Sequence, residues 1–140
     1  PRLGYEFEIE KNSAFKYFAY GKSENYVDMH AHTFVGMYES TPKDEYVNYI
    51  MPQEHGNHFG AKYLEINGLK FHGDFEFAVS NYTSEMLTDA MHINALSEHK
   101  NTVVRIDYKV SGIGSNSCGP ELLEKYRLNE KNVDFNFMIV

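Results

Sequence analysis

The sequence predicts an all-β protein with antiparallel strands, and three observations lead there. Apolar and polar residues alternate with a period of two along nearly the whole length. Stretches rich in Gly, Pro, Asn and Ser separate the alternating runs. The 140 residues suffice for a unit with its own core and are too few for an α/β barrel of usual size. A period of two gives each strand one buried and one solvated face, as in the antiparallel sheets of sandwiches.

In chain order, Leu3, Tyr5, Phe7 and Ile9 point one way, with Glu6 and Glu8 between them. Gly21-Lys22-Ser23-Glu24-Asn25 and Ser40-Thr41-Pro42-Lys43-Asp44 have loop chemistry. Tyr63-Leu64-Glu65-Ile66 and Leu69-Lys70-Phe71 flank Asn67-Gly68, the strongest hairpin signal in the chain. Phe71, Phe75, Phe77 and Val79 continue the alternation around Asp74 and Glu76. Thr83 or Ser84 caps a short helix through Met91, expected to cross between sheets. Val104, Ile106, Tyr108 and Val110 then alternate with Arg105, Asp107 and Lys109, and Val133, Phe135, Phe137 and Ile139 close the pattern. No repeat, low-complexity tract or linker interrupts this order, so one compact unit is expected.

Composition narrows the partners. A hydrophobic share of 42% argues against disorder, and no stretch reaches the length of a membrane-spanning helix. With 20 acidic against 13 basic residues, attraction to phosphate backbones is disfavoured, so neither nucleic acid nor membrane is an expected partner. One Cys supports neither a disulfide framework nor a Cys-rich zinc site, and it favours a reducing, cytoplasmic setting. The chain opens Pro1-Arg2-Leu3-Gly4 without an initiator Met or a signal pattern, as expected of a fragment of a longer polypeptide.

Three groups of residues raise chemical hypotheses. His30 and His32 would share one face if they lay on a strand, and His55, His58, His72, His92 and His99 add further imidazoles. No third ligand stands at a recognised spacing, so the histidines are assigned structural or exposed roles and no metal is predicted. Glu54, Asp74 and Glu76 offer carboxylates for sugar hydrolysis, which needs two. Asp74 and Glu76 alternate with Phe75 and Phe77, so both are assigned to the solvated face of a half-buried strand. Cys118 lies in Gly112-Ile113-Gly114-Ser115-Asn116-Ser117-Cys118-Gly119-Pro120, a loop too small-sided to pack as core and lacking a neighbouring base for nucleophilic chemistry. Such a loop can bring its backbone close to a ligand. It lacks the Gly-Lys-Ser/Thr of a phosphate cradle.

Four segments together carry a resemblance. Ser23-Glu24-Asn25-Tyr26-Val27-Asp28, Met51-Pro52-Gln53-Glu54-His55-Gly56-Asn57, His72-Gly73-Asp74-Phe75-Glu76-Phe77 and the run from Ile106 to Pro120 resemble the C-terminal, small-chain-like domain of the large bacterial β-galactosidases of glycoside hydrolase family 2. Their order and spacing are kept along essentially all 140 residues. Two departures are local: relatives commonly show Pro-Gln-Glu-Asn-Gly where His55 stands, and Gly-Pro where Lys22-Ser23 precedes Glu24.

The resemblance implies an antiparallel β-supersandwich like that of galactose mutarotases, of which this chain is roughly the second half. It implies a retaining β-galactosidase acting on lactose-like galactosides, with both catalytic Glu residues in a separate barrel domain and none in this chain. The loop carrying Ser115, Asn116, Ser117 and Cys118 is then the contribution to the aglycone side of the sugar site. Cys118 stands where some relatives place a Trp, which implies a roomier and less adhesive aglycone site. Family resemblance further implies Mg2+ and Na+ in the parent enzyme, with no cofactor held by this fragment. The expected partners are the galactoside and the barrel domain, in a homo-oligomeric parent. Uncovered strand edges in half a sandwich predict a dimer of the isolated chain. The alternatives from other classes are a noncatalytic carbohydrate-binding sandwich and a sugar epimerase on the related fold.

Overall fold

The computed structural model describes residues 2–112 and 120–140. Among them, seven strands build one antiparallel sheet: β1 (Arg2–Ile9), β2 (Phe15–Tyr20), β3 (Val35–Ser40), β4 (Asn57–Ile66), β5 (Leu69–Ser80), β6 (Thr102–Val110) and β7 (Phe137–Ile139). Their order is β1-β6-β5-β4-β2-β3, with β7 beside β5, so the chain is all-β and antiparallel as its alternation predicts.

Local chemistry accounts for the elements that the sequence marks most clearly. Asn67 (φ 50°) and Gly68 (φ 78°) make the two-residue turn between Ile66 and its partner Leu69, with the positive φ angles that a primed hairpin turn requires. Thr83 caps α1 (Ser84–Asp89), its Oγ1 accepting the Met86 amide at 3.2 Å. That helix joins β5 to β6, which are direct neighbours, so it does not cross between sheets. At the C-terminal end only Phe137–Ile139 pairs as strand, although Phe135 and Phe137 both pack on the core.

The sheet cannot be flat. β1 and β2 are four strand spacings apart, about 19 Å in a flat sheet, yet only residues 10–14 join them, a link whose fully extended span is about 20 Å. That link contains a turn, with Asn12 at φ 62°, so it falls short of full extension and the sheet must curl. Phe7 of β1 accordingly stacks on Phe71 of β5 at 5.6 Å, and Phe15 of β2 meets Phe77 edge-on at 6.1 Å. The curl encloses a core of Ile9, Phe15, Tyr17, Leu64, Ile66, Phe71, Phe77, Val104 and Ile106 with their neighbours. Asn12 bridges over the ends of β5 and β6. Its amide donates to Thr102 Oγ1 at 2.9 Å and its Oδ1 accepts from Asn81 at 2.7 Å.

The second face departs from expectation. Glu76, Arg105 and Asp107, assigned by alternation to solvent, are buried at 4%, 1% and 1% exposure. Glu54 explains part of the cover: it pairs with Arg2 of β1, stands 3.8 Å from Arg105 of β6 and accepts from Ser84 of α1 at 3.2 Å. Asp74, two residues before Glu76, is exposed and pairs with Lys62, so only half of β5 carries this cover. On β1 the reverse holds: Leu3 and Tyr5 are exposed, and only the Phe7 to Ile9 end reaches the core.

Candidate functional site

Glu24 is a hub: its carboxylate accepts from the Gly56 amide at 2.9 Å, from Tyr26 at 3.1 Å and from Tyr49. Burial pushes both phenols well above their usual range, and Glu24 adds to the shift, so they remain donors. Asn25 forms the next contact. Its amide donates to Asn57 O at 2.7 Å, its Oδ1 accepts from Phe59 at 2.7 Å, and its carbonyl accepts from Asn57 Nδ2 at 3.0 Å.

Asn57 carries the chain of bonds inward. The same Nδ2 donates to Glu76 Oε2 at 2.8 Å, and the Val110 amide donates to Glu76 Oε1 at 3.3 Å. Glu76 can receive both because it stands at a fork. β5 pairs with β6 from Ser80 down to Glu76, opposite Asp107, and its next partner on that edge is β7, from Gly73. The last residues of β6 have left β5, and a side chain takes the place of the missing strand partner.

Asp107 leans the other way. A Cβ at Gly4, its partner on β1, would overlap Asp107 Oδ1, so the bare backbone at Gly4 gives this carboxylate its room. Arg2 Nη2 lies 3.4 Å from Asp107 Oδ2. Burial pushes Glu76 up to about 7, with hydrogen bonds from Asn57 and Val110 pulling down and the charge of Asp107 pushing up. Burial likewise pushes Asp107 up to about 6, with Arg2 and Arg105 pulling down and Glu54 and Glu6 pushing up. Two buried carboxyls with raised affinity for protons thus sit opposite one another, under a cleft of about 250 Å³ lined by Arg2, Tyr26, Glu54, His55, Asn57 and Val110–Gly112.

The four segments singled out in the sequence therefore meet at one place. Glu24 and Asn25 hold Gly56 and Asn57, Asn57 holds Glu76, and Glu76 holds Val110. Asp28 closes the circuit, its carboxylate filling the space that a side chain at Gly112 would need. The predicted sugar-facing residues Ser115, Asn116, Ser117 and Cys118 lie outside the described residues. Their stem, Val110–Gly112, lines the cleft.

A comparison by family agrees with this convergence. The family profile described as "Beta galactosidase small chain" matches residues 1–139. The chain belongs to the β-galactosidase small-chain family. Among curated relatives, the beta-galactosidase of Actinobacillus pleuropneumoniae is 42% identical over 143 residues, covering 100% of this chain and 14% of that protein. Those of Staphylococcus xylosus and Kluyveromyces lactis are 36% and 32% identical, each over 98% of this chain and 14% of theirs. This small-chain domain therefore spans about one seventh of the length of these relatives.

Within the small-chain domain the histidines are placed by packing. His30 and His32 sit in a turn and not on a strand; His30 packs against the rings of Tyr20 and Phe59, which also stack on each other. His58 is buried, stacked on Phe77 at 4.9 Å, with Nε2 2.8 Å from Glu45. No three His, Cys, Asp or Glu side chains stand together as metal ligands among the described residues. Sequence reasoning missed Glu76 and Asp107 as buried acids.

Proposed function

We propose that this small-chain domain is the C-terminal part of a retaining β-galactosidase of glycoside hydrolase family 2, cleaving terminal β-galactosides such as lactose. In that chemistry one carboxylate attacks the anomeric carbon and a second protonates the leaving group, then activates water. Both belong to another part of the enzyme in this reading. The role of this chain is to hold the segment after β6 at the aglycone side of the pocket, with Ser115 to Cys118 nearest the sugar. The observation that carries the reading is the unbroken set of contacts from Glu24 through Asn57 and Glu76 to Val110, which ties the resembling segments to the stem of that loop.

The test is complementation. The 140-residue chain alone is expected to release no product from a chromogenic galactoside, and the remaining polypeptide to regain activity when this chain is supplied. Turnover by the isolated chain, or full activity without it, overturns the reading. Cys118→Trp adds a wide π-face at the aglycone side. It is expected to tighten binding of lactose and to change preference for glucose as acceptor, with little change in cleavage of an activated galactoside. Unchanged acceptor preference and substrate affinity count against placement of this loop.

A further inference from the structure

We propose that Glu76 is a positioning residue: its carboxylate clamps the Val110 amide at the fork of β5 and β6, and proton uptake loosens the stem of the segment that follows. The functional consequence rests on the reading that this segment faces the sugar; the clamp itself does not.

Val110 pairs with Arg2 of β1 on one edge, but on the β5 side it has no strand partner. Its amide lies beyond the last β5–β6 pair, Glu76 with Asp107, and bonds to a side chain in place of a strand. Both acceptor oxygens of Glu76 are committed, one to Val110 and one to Asn57, and Asn57 is held in turn by the Asn25 carbonyl. A carboxylate accepts both bonds strongly, because hydrogen bonds to an ionised acceptor are roughly twice as strong as neutral ones. A protonated carboxyl must turn one oxygen into a donor, yet both groups facing it are donors. The 3.3 Å bond to Val110 is the longer of the two and the one expected to give way.

Burial places the Glu76 transition in the neutral range, and several charged groups surround it. Asp107 opposes it on β6, with Arg105 two residues earlier on that strand. Arg2 and Glu6 reach in from β1, Arg2 to Asp107 and Glu6 to Arg105 at 2.7 Å. Glu54 and His55 line the cleft from the preceding segment, and Tyr26 and Asn57 complete the wall. Burial dominates and holds the Glu76 proton to about 7, so both states are populated near neutrality. No other described residue donates to or accepts from the Val110 amide and Asn57 side chain together.

Hydrogen exchange read by mass spectrometry on the full-length polypeptide tests the clamp directly. After correction for the chemical exchange rate, protection of the Val110 amide is expected to fall about tenfold as pH drops from about 8 to about 6. Glu76→Gln is expected to abolish that dependence while leaving the β4–β5 hairpin protected. Flat protection in the unmodified protein overturns the proposal, as does an unchanged pH dependence in the variant. Should Glu76→Gln fail to fold, Asp107→Asn decides: loss of the opposed negative charge must move the midpoint to lower pH, and an unmoved midpoint overturns the proposal. In the active enzyme, the ratio of galactosyl transfer to hydrolysis is expected to follow the same midpoint, with KM moving more than kcat. An inactive protein with a pH-dependent Val110 amide would refute the galactosidase reading and leave the clamp standing.

Discussion

The space beside Gly4 is filled by the carboxylate of Asp107, and this single missing side chain lets two opposed acids lean apart. Gly4→Ala is expected to destabilise the fold by about 1–3 kcal/mol, the usual range for overpacking, measured as a lower urea midpoint. The acids also set a pH dependence. Glu76 and Asp107 bind protons more tightly folded than unfolded, at about 7 and about 6 against ordinary values of 4.5 and 3.8. The stability they contribute is therefore full below about pH 4 and is lost as pH rises through about 6 and then about 7. Urea midpoints at pH 5 and pH 8 are expected to differ by roughly 2–4 kcal/mol of stability, with Glu76→Gln removing much of the difference. Glu8, Glu98 and Glu130, whose carboxyls are lowered by hydrogen-bonded partners, act with the opposite sign and only at more acid pH.

At the scale of elements, the β4–β5 turn is the most exacting local signal. Gly68 sits at φ 78° with open space around it, so Gly68→Ala costs backbone strain alone, about 1 kcal/mol by thermal or urea unfolding. This hairpin and the Thr83 cap were legible in the sequence because each depends on residues within a few positions. The second face of β5 and β6 was not. Alternation marks Glu76, Arg105 and Asp107 as polar, but their burial depends on Glu54, Asn57 and Arg2, which come from 19 to more than 100 positions away. Glu54 and Asn57 were readable as part of a segment that carries the family resemblance, while the role of that segment as a cover over charged residues was not. Likewise His30 and His32 would have shared a face on a strand, but the chain turns there and puts His30 against aromatic rings, in keeping with the structural role assigned to it.

Across the whole molecule, the curl depends on the short passage from β1 to β2. Asn81 braces it twice, donating to Asn12 Oδ1 and accepting from Thr102 Oγ1 at 2.9 Å. Asn81→Ala leaves buried Thr102 without that acceptor and Asn12 without its donor, an expected loss of about 2 kcal/mol by denaturant titration. Among the described residues the β1 strand pairs only with β6, Ile9 opposite Thr102 and Arg2 opposite Val110. Of these seven strands the first to be synthesised thus waits for a β6 partner made roughly 100 residues later, about 5–20 s at ordinary synthesis rates. Throughout that interval the β4–β5 hairpin can already form, while β1, with Leu3, Tyr5, Phe7 and Ile9, lacks the β6 partner it has in the finished sheet.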